Sequence, residues 1–268
     1  RTLLSADPDQ QKAISEQQLG GIKADITRYL ASQASCVLVD AVCAVPDLVD
    51  HGIINRDTAL LIGLDASGFD TTPEGYRNSR LVEGISARRV RELGANGGKI
   101  MVYLRADRPD ANQHNLDILR HCIEDFARED LLLVVEFLTY PLPEETDDAY
   151  KSRVPSLIYE GTKLSLELGA KVLKIPYPGS AKACADITEL AGDVPWAVLS
   201  AGVDHTTFLT QVADAMSNGA SGVIAGRALW KDCISLDRRI TREKLETLAI
   251  PRLREIQAVI GKYFHARS

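Results

Sequence analysis

Short apolar runs recur along the whole chain, and most of them are followed by an amphipathic stretch. Runs of this length that are rich in Val, Ile and Leu are typical of buried β-strands. Their number and spacing constrain the fold more than any other feature of the sequence. They predict eight strands, at residues 2–6, 36–40, 59–65, 99–103, 131–137, 171–175, 196–200 and 222–225.

Helical periodicity fills most of the intervals between these runs. It predicts helices at residues 17–31, 85–93, 112–127, 156–168, 206–218 and 242–260, with a weaker pattern at residues 45–52. Strands that alternate with helices pair in parallel, because each crossover needs a helix to return the chain. Eight such units in 268 residues, without a linker, predict an α/β fold, a (β/α)8 TIM barrel forming one domain over residues 1–268. A doubly wound open sheet is the alternative, but it normally has fewer strands, and no GxGxxG follows the first run.

Composition narrows the class of function. A net charge of −6 argues against a nucleic-acid partner, although a few local cations can still hold a small anionic substrate. No apolar run approaches the roughly 20 residues of a membrane helix, so no membrane partner is expected. Five scattered cysteines without CxxC spacing favour reduced thiols and a cytoplasmic location. The histidines show no HxH or HExxH spacing, so neither a catalytic metal nor another cofactor is predicted.

Polar residues stand where several of the predicted strands end. In a barrel the catalytic groups lie at the carboxyl ends of the strands, so these side chains would share one mouth. Each also has a structural alternative: an aspartate can cap a helix, and a buried glutamate can belong to a structural ion pair. The candidates are Asp7, Asp9, Gln10, Asp40, Asp65, Lys99, Glu136 and Lys174.

Two glycine-containing segments follow the last two strands. Ser200, Ala201 and Gly202 come after the seventh run, and Gly226 and Arg227 after the eighth. The loops at these two places in a barrel often bind phosphate through backbone N–H groups, and an arginine can add two hydrogen bonds. The alternative is that the glycines only serve tight turns.

Six segments resemble the class I aldolases of the tagatose-1,6-bisphosphate aldolase group, which includes the sulfofructose-1-phosphate aldolases. They occur in order across nearly the whole chain: "GFDTTP" (68–73), "ISARRVRELGANGGK" (85–99), "VVEFLTY" (134–140), "VLKIP" (172–176), "LSAGVD" (199–204) and "GVIAGRALW" (222–230). The resemblance implies a (β/α)8 barrel, no metal, and cleavage of a ketohexose 1-phosphate to dihydroxyacetone phosphate and a three-carbon aldehyde. A homo-oligomer is expected.

The resemblance also implies roles for single residues. Lys174 matches the Schiff-base lysine, Lys99 a second active-site lysine and Glu136 a glutamate of the fifth strand. Asp9 and Gln10 resemble an Asp-Gln pair of the first strand, with Asp7 as a rival for the aspartate, and Asp40 would help to orient hydroxyls. Residues 200–202 and 226–227 fall where the family holds the C1 phosphate.

This reading gives a physical reason for a lysine within an apolar strand. Burial and a neighbouring cation such as Lys99 both disfavour the charged form of Lys174, and only the neutral amine can attack a ketone. A transaldolase or an aldol-type synthase could use the same lysine, and a non-catalytic sugar-phosphate-binding barrel is the alternative from another class.

The long segment at residues 66–81 is expected to be a loop over the catalytic face that distinguishes the group at C6 of the substrate. Its length exceeds that of a typical connection, and Arg77 and Arg80 offer cations for a second anionic group. Arg105, after the fourth predicted strand, is the alternative candidate. A solvated loop without such a role is the structural alternative.

Overall fold

The computed structural model describes residues 1–42, 48, 51–55 and 57–264. Within these residues the main sheet has seven parallel strands. In their order across the sheet they are β1 (Cys36–Asp40), β2 (Ala59–Gly63), β5 (Gly97–Tyr103), β6 (Leu132–Leu138), β7 (Val172–Ile175), β8 (Trp196–Leu199) and β9 (Gly222–Ile224). Side chains of β1 and β9 line the same cavity, so the sheet is curled into a half-barrel.

A small antiparallel hairpin stands in the loop that follows β2. Strand β3 (Asp70–Thr71) pairs with β4 (Arg77–Asn78), and Asp65 forms an isolated bridge with Leu81. Because this loop leaves the carboxyl end of β2, the hairpin lies at the end of the sheet where chemistry is expected.

Helices fill the chain between the strands and pack on the sheet. Several begin at a Ser, Thr or Asp whose side chain accepts a hydrogen bond from the backbone N–H three residues later, as in a typical N-cap. The helices are α1 (Pro8–Ala13), α2 (Glu16–Leu30), α3 (Ala87–Glu92), α4 (Gln113–Arg128), α5 (Asp147–Glu167), α6 (Ala181–Ala191), α7 (His205–Ser217), α8 (Arg227–Trp230), α9 (Arg238–Lys244) and α10 (Ile250–Phe264).

The central strands β5 and β6 are largely buried. Ile100, Val102, Val135 and Phe137 are fully buried there, as expected for parallel strands that are covered on both faces. This packing fixes the strands whose opposite face carries the charged residues described below.

Seven of the eight predicted strands are confirmed to within two residues at either end. The six clear helix predictions are also found, although α5 begins nine residues before the predicted start and a π-helical turn, Leu245–Ala249, divides the last one into α9 and α10. Helix α6 was not predicted. The weak pattern at residues 45–52 falls largely outside the described residues.

The prediction of a first strand at residues 2–6 is wrong. This segment forms turns, and Leu3 is 43% exposed. Local hydrogen bonds explain the difference: the backbone N–H of Asp7 donates to Ser5 Oγ, the N–H of Asp9 donates to the Asp7 carboxylate, and Gln11 donates to the Ser5 carbonyl. Asp7 thereby caps α1, and these bonds compete with a strand for the same backbone.

No strand of the described chain lies between β9 and β1, so the predicted eight-stranded barrel is confirmed only as a curled half-barrel. None of the described helices has the length and apolar character needed to span a bilayer.

Candidate active site

Three charged side chains project from neighbouring strands onto one face of the sheet. Glu136 of β6 is paired in register with Lys174 of β7, and Lys99 of β5 is paired with Val134, two residues before Glu136. Paired residues share a face, and residues two apart on a strand point the same way, so all three side chains point into the cavity inside the curled sheet. The parallel register of β5, β6 and β7 therefore builds the cluster.

Glu136 lies between the two lysines. Its Oε2 atom accepts from Lys174 Nζ at 2.8 Å and lies 3.2 Å from Lys99 Nζ. Lys99 Nζ also donates to Oδ1 of Asp65 at 2.5 Å, and the same oxygen accepts from the Met101 backbone N–H at 3.2 Å. The side chains of both lysines and of Glu136 are nearly buried, so these interactions are poorly screened by water.

The pKa values of the two lysines are shifted in opposite directions. Burial lowers the pKa of Lys174 below its usual value, the attraction of Glu136 opposes this, and the positive charge of Lys99 adds to the lowering. Burial acts on the pKa of Lys99 in the same direction, but the carboxylates of Glu136 and Asp65 outweigh it, so that pKa is raised. Lys99 is thus held as an ammonium ion, while Lys174 loses its proton more readily and can supply a neutral amine.

The loops after β8 and β9 meet beside this cluster. Ala201 and Gly202 have φ angles of 45° and 78°, in the left-handed region that favours glycine. A methyl group added to Gly202 would come within 3.5 Å of the Arg227 guanidinium carbon, so Arg227 lies directly against this turn. Lys231 donates to the carbonyl of Gly202 at 2.6 Å and joins the two loops.

One cavity of about 870 Å³ connects the charged cluster with these loops. Lys99, Glu136 and Lys174 line it, as do Ser200, Ala201, Gly226 and Arg227. Gly202 reaches the same place through its contact with Arg227. The site thus combines a lysine with a lowered pKa, a carboxylate, a second lysine with a raised pKa and a glycine-containing turn next to an arginine. Among the described residues, no group of three or more His, Cys, Asp or Glu side chains is arranged to hold a metal.

Comparison with known proteins decides the family. The sequence profile of the DeoC/LacD family aldolases matches residues 5–232. The chain belongs to this family. Among curated relatives, a tagatose 1,6-diphosphate aldolase of Staphylococcus epidermidis is 25% identical over 282 residues, covering 94% of this chain and 85% of the relative. One from Staphylococcus aureus is 26% identical, covering 91% and 82%. The family resemblance predicted from the sequence is confirmed.

Solved structures agree with the fold of a DeoC/LacD aldolase. An archaeal fructose 1,6-bisphosphate aldolase aligns with a TM-score of 0.55 at 20% identity, covering 85% of this chain and 82% of the other. A fructose-bisphosphate aldolase from Slackia heliotrinireducens aligns with a TM-score of 0.63 at 19% identity, covering 89% and 76%. At these identities the likeness concerns the fold alone.

Two site residues predicted for the first strand of this DeoC/LacD aldolase are not brought to the cavity. Asp9 lies on α1, where its side chain is 90% exposed and pairs with Lys12. Gln10 lies on the same helix and accepts from Ser5 Oγ. Asp7, the rival candidate, caps α1. The reason is the missing first strand: a side chain can end a strand at the mouth only if that strand is in the sheet.

Asp40 ends β1 as predicted, but its carboxylate is engaged outside the cluster. It accepts from Lys23 of α2 at 2.6 Å and is 39% exposed. It is not among the described residues that line the cavity with the two lysines.

Asp65 is one of the candidates at the strand ends, but the family resemblance implies no role for it. Its carboxylate accepts from Lys99 Nζ at 2.5 Å, and after Glu136 it is the second carboxylate that raises the pKa of Lys99. Its position at the end of an apolar run was the available signal, but the sequence could not tell this pairing from a helix cap.

Arg105, the alternative candidate for recognition of C6, is fully buried and bonded on every side. It donates to both oxygens of Asp107 and of Glu145 and to the Tyr140 carbonyl, and Arg153 pairs with the same two carboxylates. These contacts use the donors of its guanidinium group. Arg105 therefore fastens the ends of β5 and β6 together and has no donor left for a ligand.

Proposed function

We propose that this chain is a metal-independent class I aldolase that cleaves a ketohexose 1-phosphate to dihydroxyacetone phosphate and a three-carbon aldehyde. The expected substrates are of the tagatose 1,6-bisphosphate or 6-deoxy-6-sulfofructose 1-phosphate type. The observation that carries the proposal is the unequal pair of lysines: one cavity holds an amine with a lowered pKa beside an ammonium ion fixed by two carboxylates.

The first step forms a covalent bond between Lys174 and the substrate. The neutral amine attacks the C2 carbonyl to give a carbinolamine, which loses water and becomes an iminium ion. Lys99 stays protonated and can hold a developing oxygen charge without competing as a nucleophile. Glu136, at 2.8 Å from Lys174 Nζ, is placed to take up and return the protons of these steps.

The second step breaks the bond between C3 and C4. Glu136, or a water that it binds, removes the proton of the C4 hydroxyl, the C3–C4 electron pair moves into the iminium to form an enamine, and the aldehyde leaves. Protonation of C3 and hydrolysis of the iminium then release dihydroxyacetone phosphate and restore Lys174. The iminium ion itself accepts the electron pair, so no metal is needed as an electron sink.

The loops after β8 and β9 are proposed to hold the C1 phosphate. Gly202 leaves room for close approach to the backbone, and Arg227 lies against it with no carboxylate partner among the described residues. The turn shares its cavity with the lysines, as a substrate that is held at C1 and attacked at C2 requires. A homo-oligomeric assembly and a cytoplasmic location stay predictions of the sequence.

Trapping with sodium borohydride tests the proposal. Incubation with dihydroxyacetone phosphate and borohydride is expected to reduce the iminium and to leave a stable adduct on the peptide that contains Lys174, detected by mass spectrometry. The exposed Lys171 lies three residues away, so fragmentation must separate the two positions. An adduct on Lys99 alone, or none while turnover continues, would contradict the assignment.

A chelation experiment tests metal independence separately. Full activity is expected after exhaustive treatment with a chelator, with release of the aldehyde followed from a panel of ketose 1-phosphates. A loss that added zinc restores would place the chain among metal-dependent aldolases instead.

A further inference from the structure

Arg77, in the hairpin after β2, is held by three aromatic rings. Its guanidinium carbon lies 4.4 Å from the centroid of the Phe69 ring, 4.9 Å from that of Tyr140 and 5.3 Å from that of Tyr103. The rings also contact one another edge to face, with centroids 5.0 Å apart for Phe69 and Tyr103 and 5.9 Å apart for Tyr103 and Tyr140. We call Phe69, Tyr103 and Tyr140 the aromatic cage.

The cage stands above the charged cluster. Tyr103 ends β5 on the same face as Lys99, four residues further along the strand. Four residues of strand rise by about 13 Å, so the tyrosine lies toward the mouth, beyond the lysine. Tyr140 follows the end of β6 in the same way, four residues after Glu136. Arg77 is therefore placed over the carboxyl ends of the two strands that carry Lys99 and Glu136.

Hydrogen bonds fix the backbone of Arg77 in this position. The Arg77 backbone N–H donates to the Tyr140 hydroxyl at 3.2 Å, and the buried Asn115 donates to the carbonyls of Arg77 and Tyr103 at 2.7 Å each. Ser79 links the hairpin to β5 by accepting from the Tyr103 N–H. The hairpin is thus attached to the sheet, and the cation is held in place before any ligand arrives.

Arg77 differs from the other arginines of this region in its partners. Arg80 pairs with Asp70, Arg108 with Glu144, and Arg105 and Arg153 with Asp107 and Glu145. Arg77 has no carboxylate partner among the described residues. Aromatic rings contact the faces of a guanidinium group and leave the N–H donors in its plane free for an oxyanion. Arg77 is half-buried, so part of the residue is open to solvent.

We propose that Arg77 binds an oxyanion at C6 of the substrate, a phosphate or a sulfonate, and so selects substrates that are charged at both ends. The inference rests on the proposed function, since it places C1 at the Gly202–Arg227 turn and C2 at Lys174. From there the remainder of the sugar would extend toward the carboxyl ends of β5 and β6, over which Arg77 lies. Of the three arginines considered for this role from the sequence, only Arg77 combines this place with free donors.

The test compares Arg77→Gln with Arg80→Gln, a matched change in the same hairpin at an arginine already paired with Asp70. Each variant is assayed on three ketohexose 1-phosphates that carry a phosphate, a sulfonate or a hydroxyl at C6. Loss of a charge-assisted contact is expected to lower kcat/KM of Arg77→Gln by about tenfold or more on a charged substrate. The C6-hydroxyl substrate should be little affected, and Arg80→Gln should behave like the parent on all three. If kcat/KM falls only on the phosphate substrate or only on the sulfonate substrate, the result identifies which of the two anions Arg77 binds.

Two further measurements keep the inference separate from folding and from the proposed function. Arg77→Lys keeps the charge but not the planar donor pair, so it should lose less than Arg77→Gln if an anion is bound. Trapping of dihydroxyacetone phosphate, which has no C6, should be the same in Arg77→Gln as in the parent. An equal loss on charged and uncharged substrates, or no loss on either, would overturn the role of Arg77, whereas failure of the parent to trap dihydroxyacetone phosphate would overturn the proposed function itself.

Discussion

The two sides of the curled sheet are built differently. On one side β5, β6 and β7 are each paired along both edges, and their register sets Lys174 Nζ at 2.8 Å and Lys99 Nζ at 3.2 Å from the same oxygen of Glu136. On the other side β9 and β1 each have an edge without a partner strand among the described residues, and mostly apolar side chains line the cavity between them.

The difference assigns separate tasks to the two sides. Covalent chemistry needs groups held at fixed short distances, and strands that are paired on both edges hold their side chains in this way. Holding a phosphate needs backbone N–H groups and a cation near a turn, which the loops leaving β8 and β9 can offer although β9 is an edge strand. The proposed chemistry therefore lies on the side formed by β5, β6 and β7, which we call the paired side. The proposed phosphate site lies beside β9 and β1, which we call the open side.

The largest expected effect is a loss of kcat, and it is tested by comparing a lysine of the charged cluster with a lysine outside it. Lys174→Met removes the proposed nucleophile and should lower kcat on the order of 10⁴-fold or more, as loss of a covalent nucleophile does elsewhere. Lys171→Met changes an exposed lysine just before the same strand and should leave kcat near the parent value. Steady-state kinetics of aldehyde release measure both. Substantial turnover by Lys174→Met would show that Lys174 is not the nucleophile and would contradict the placement of the chemistry on the paired side.

A pair of glycines tests the packing of the two sides. A methyl group added to Gly98 of β5 would lie 2.5 Å from Phe126, whereas one added to Gly222 of β9 would meet nothing within 4 Å. Gly98→Ala should therefore lower the free energy of unfolding by about 1–3 kcal/mol, as overpacking of a core does. Gly222→Ala should change it by less than about 0.5 kcal/mol.

Denaturant titration of the two glycine variants gives both values under the same conditions. Similar losses for both would mean that the open side is packed as tightly as the paired one, and the contrast between them would fail.

The contrast also explains what the sequence could predict. The seven strands of the sheet could be predicted because each is a short apolar run, and in β5 and β6 most of that run is buried. Lys99, Glu136 and Lys174 could be singled out because they interrupt such runs, and the structure brings them to one cavity. The segment at residues 2–6 has a similar composition, but the hydroxyl of Ser5 and the carboxylate of Asp7 bind the nearby backbone instead. Composition cannot decide between these local bonds and a sheet partner, so Asp9 and Gln10 were misplaced with that strand.

The sequence also could not predict which residues pair when they lie far apart in the chain. The sequence offered Arg77 and Arg80 as cations for C6, with Arg105 as the alternative, and only the fold reveals that Arg105 is enclosed by Asp107 and Glu145. The partner of Lys99 was hidden for the same reason, because Asp65 lies 34 positions earlier in the chain.

A smaller effect, on ligand affinity, is expected from a change in the loop after β9. Arg227→Ala removes one charge-assisted contact to the C1 phosphate, worth about 1.5–3 kcal/mol, so affinity for dihydroxyacetone phosphate should fall about tenfold or more. Calorimetric titration measures this, with Arg239→Ala on the exposed face of α9 as the control. If Arg227→Ala binds dihydroxyacetone phosphate as tightly as the parent, the phosphate binds elsewhere, and the loops beside the open side do not hold it.

The smallest expected effect is a displacement of the pH profile, and it tests whether the two lysines influence each other. The amine of Lys174 reacts only when neutral, so the acidic limb of kcat/KM should follow its pKa. Burial and then the charge of Lys99 lower that pKa, against the attraction of Glu136. Lys99→Met removes the repulsion, so the pKa of Lys174 should rise and the acidic limb should move to higher pH. Substrate ionisation is common to both enzymes and cancels in the comparison, and Lys171→Met should leave the limb in place. If the limb stays fixed or moves to lower pH in Lys99→Met, then Lys99 does not tune Lys174, and the closeness of the two lysines would serve only to bind Glu136.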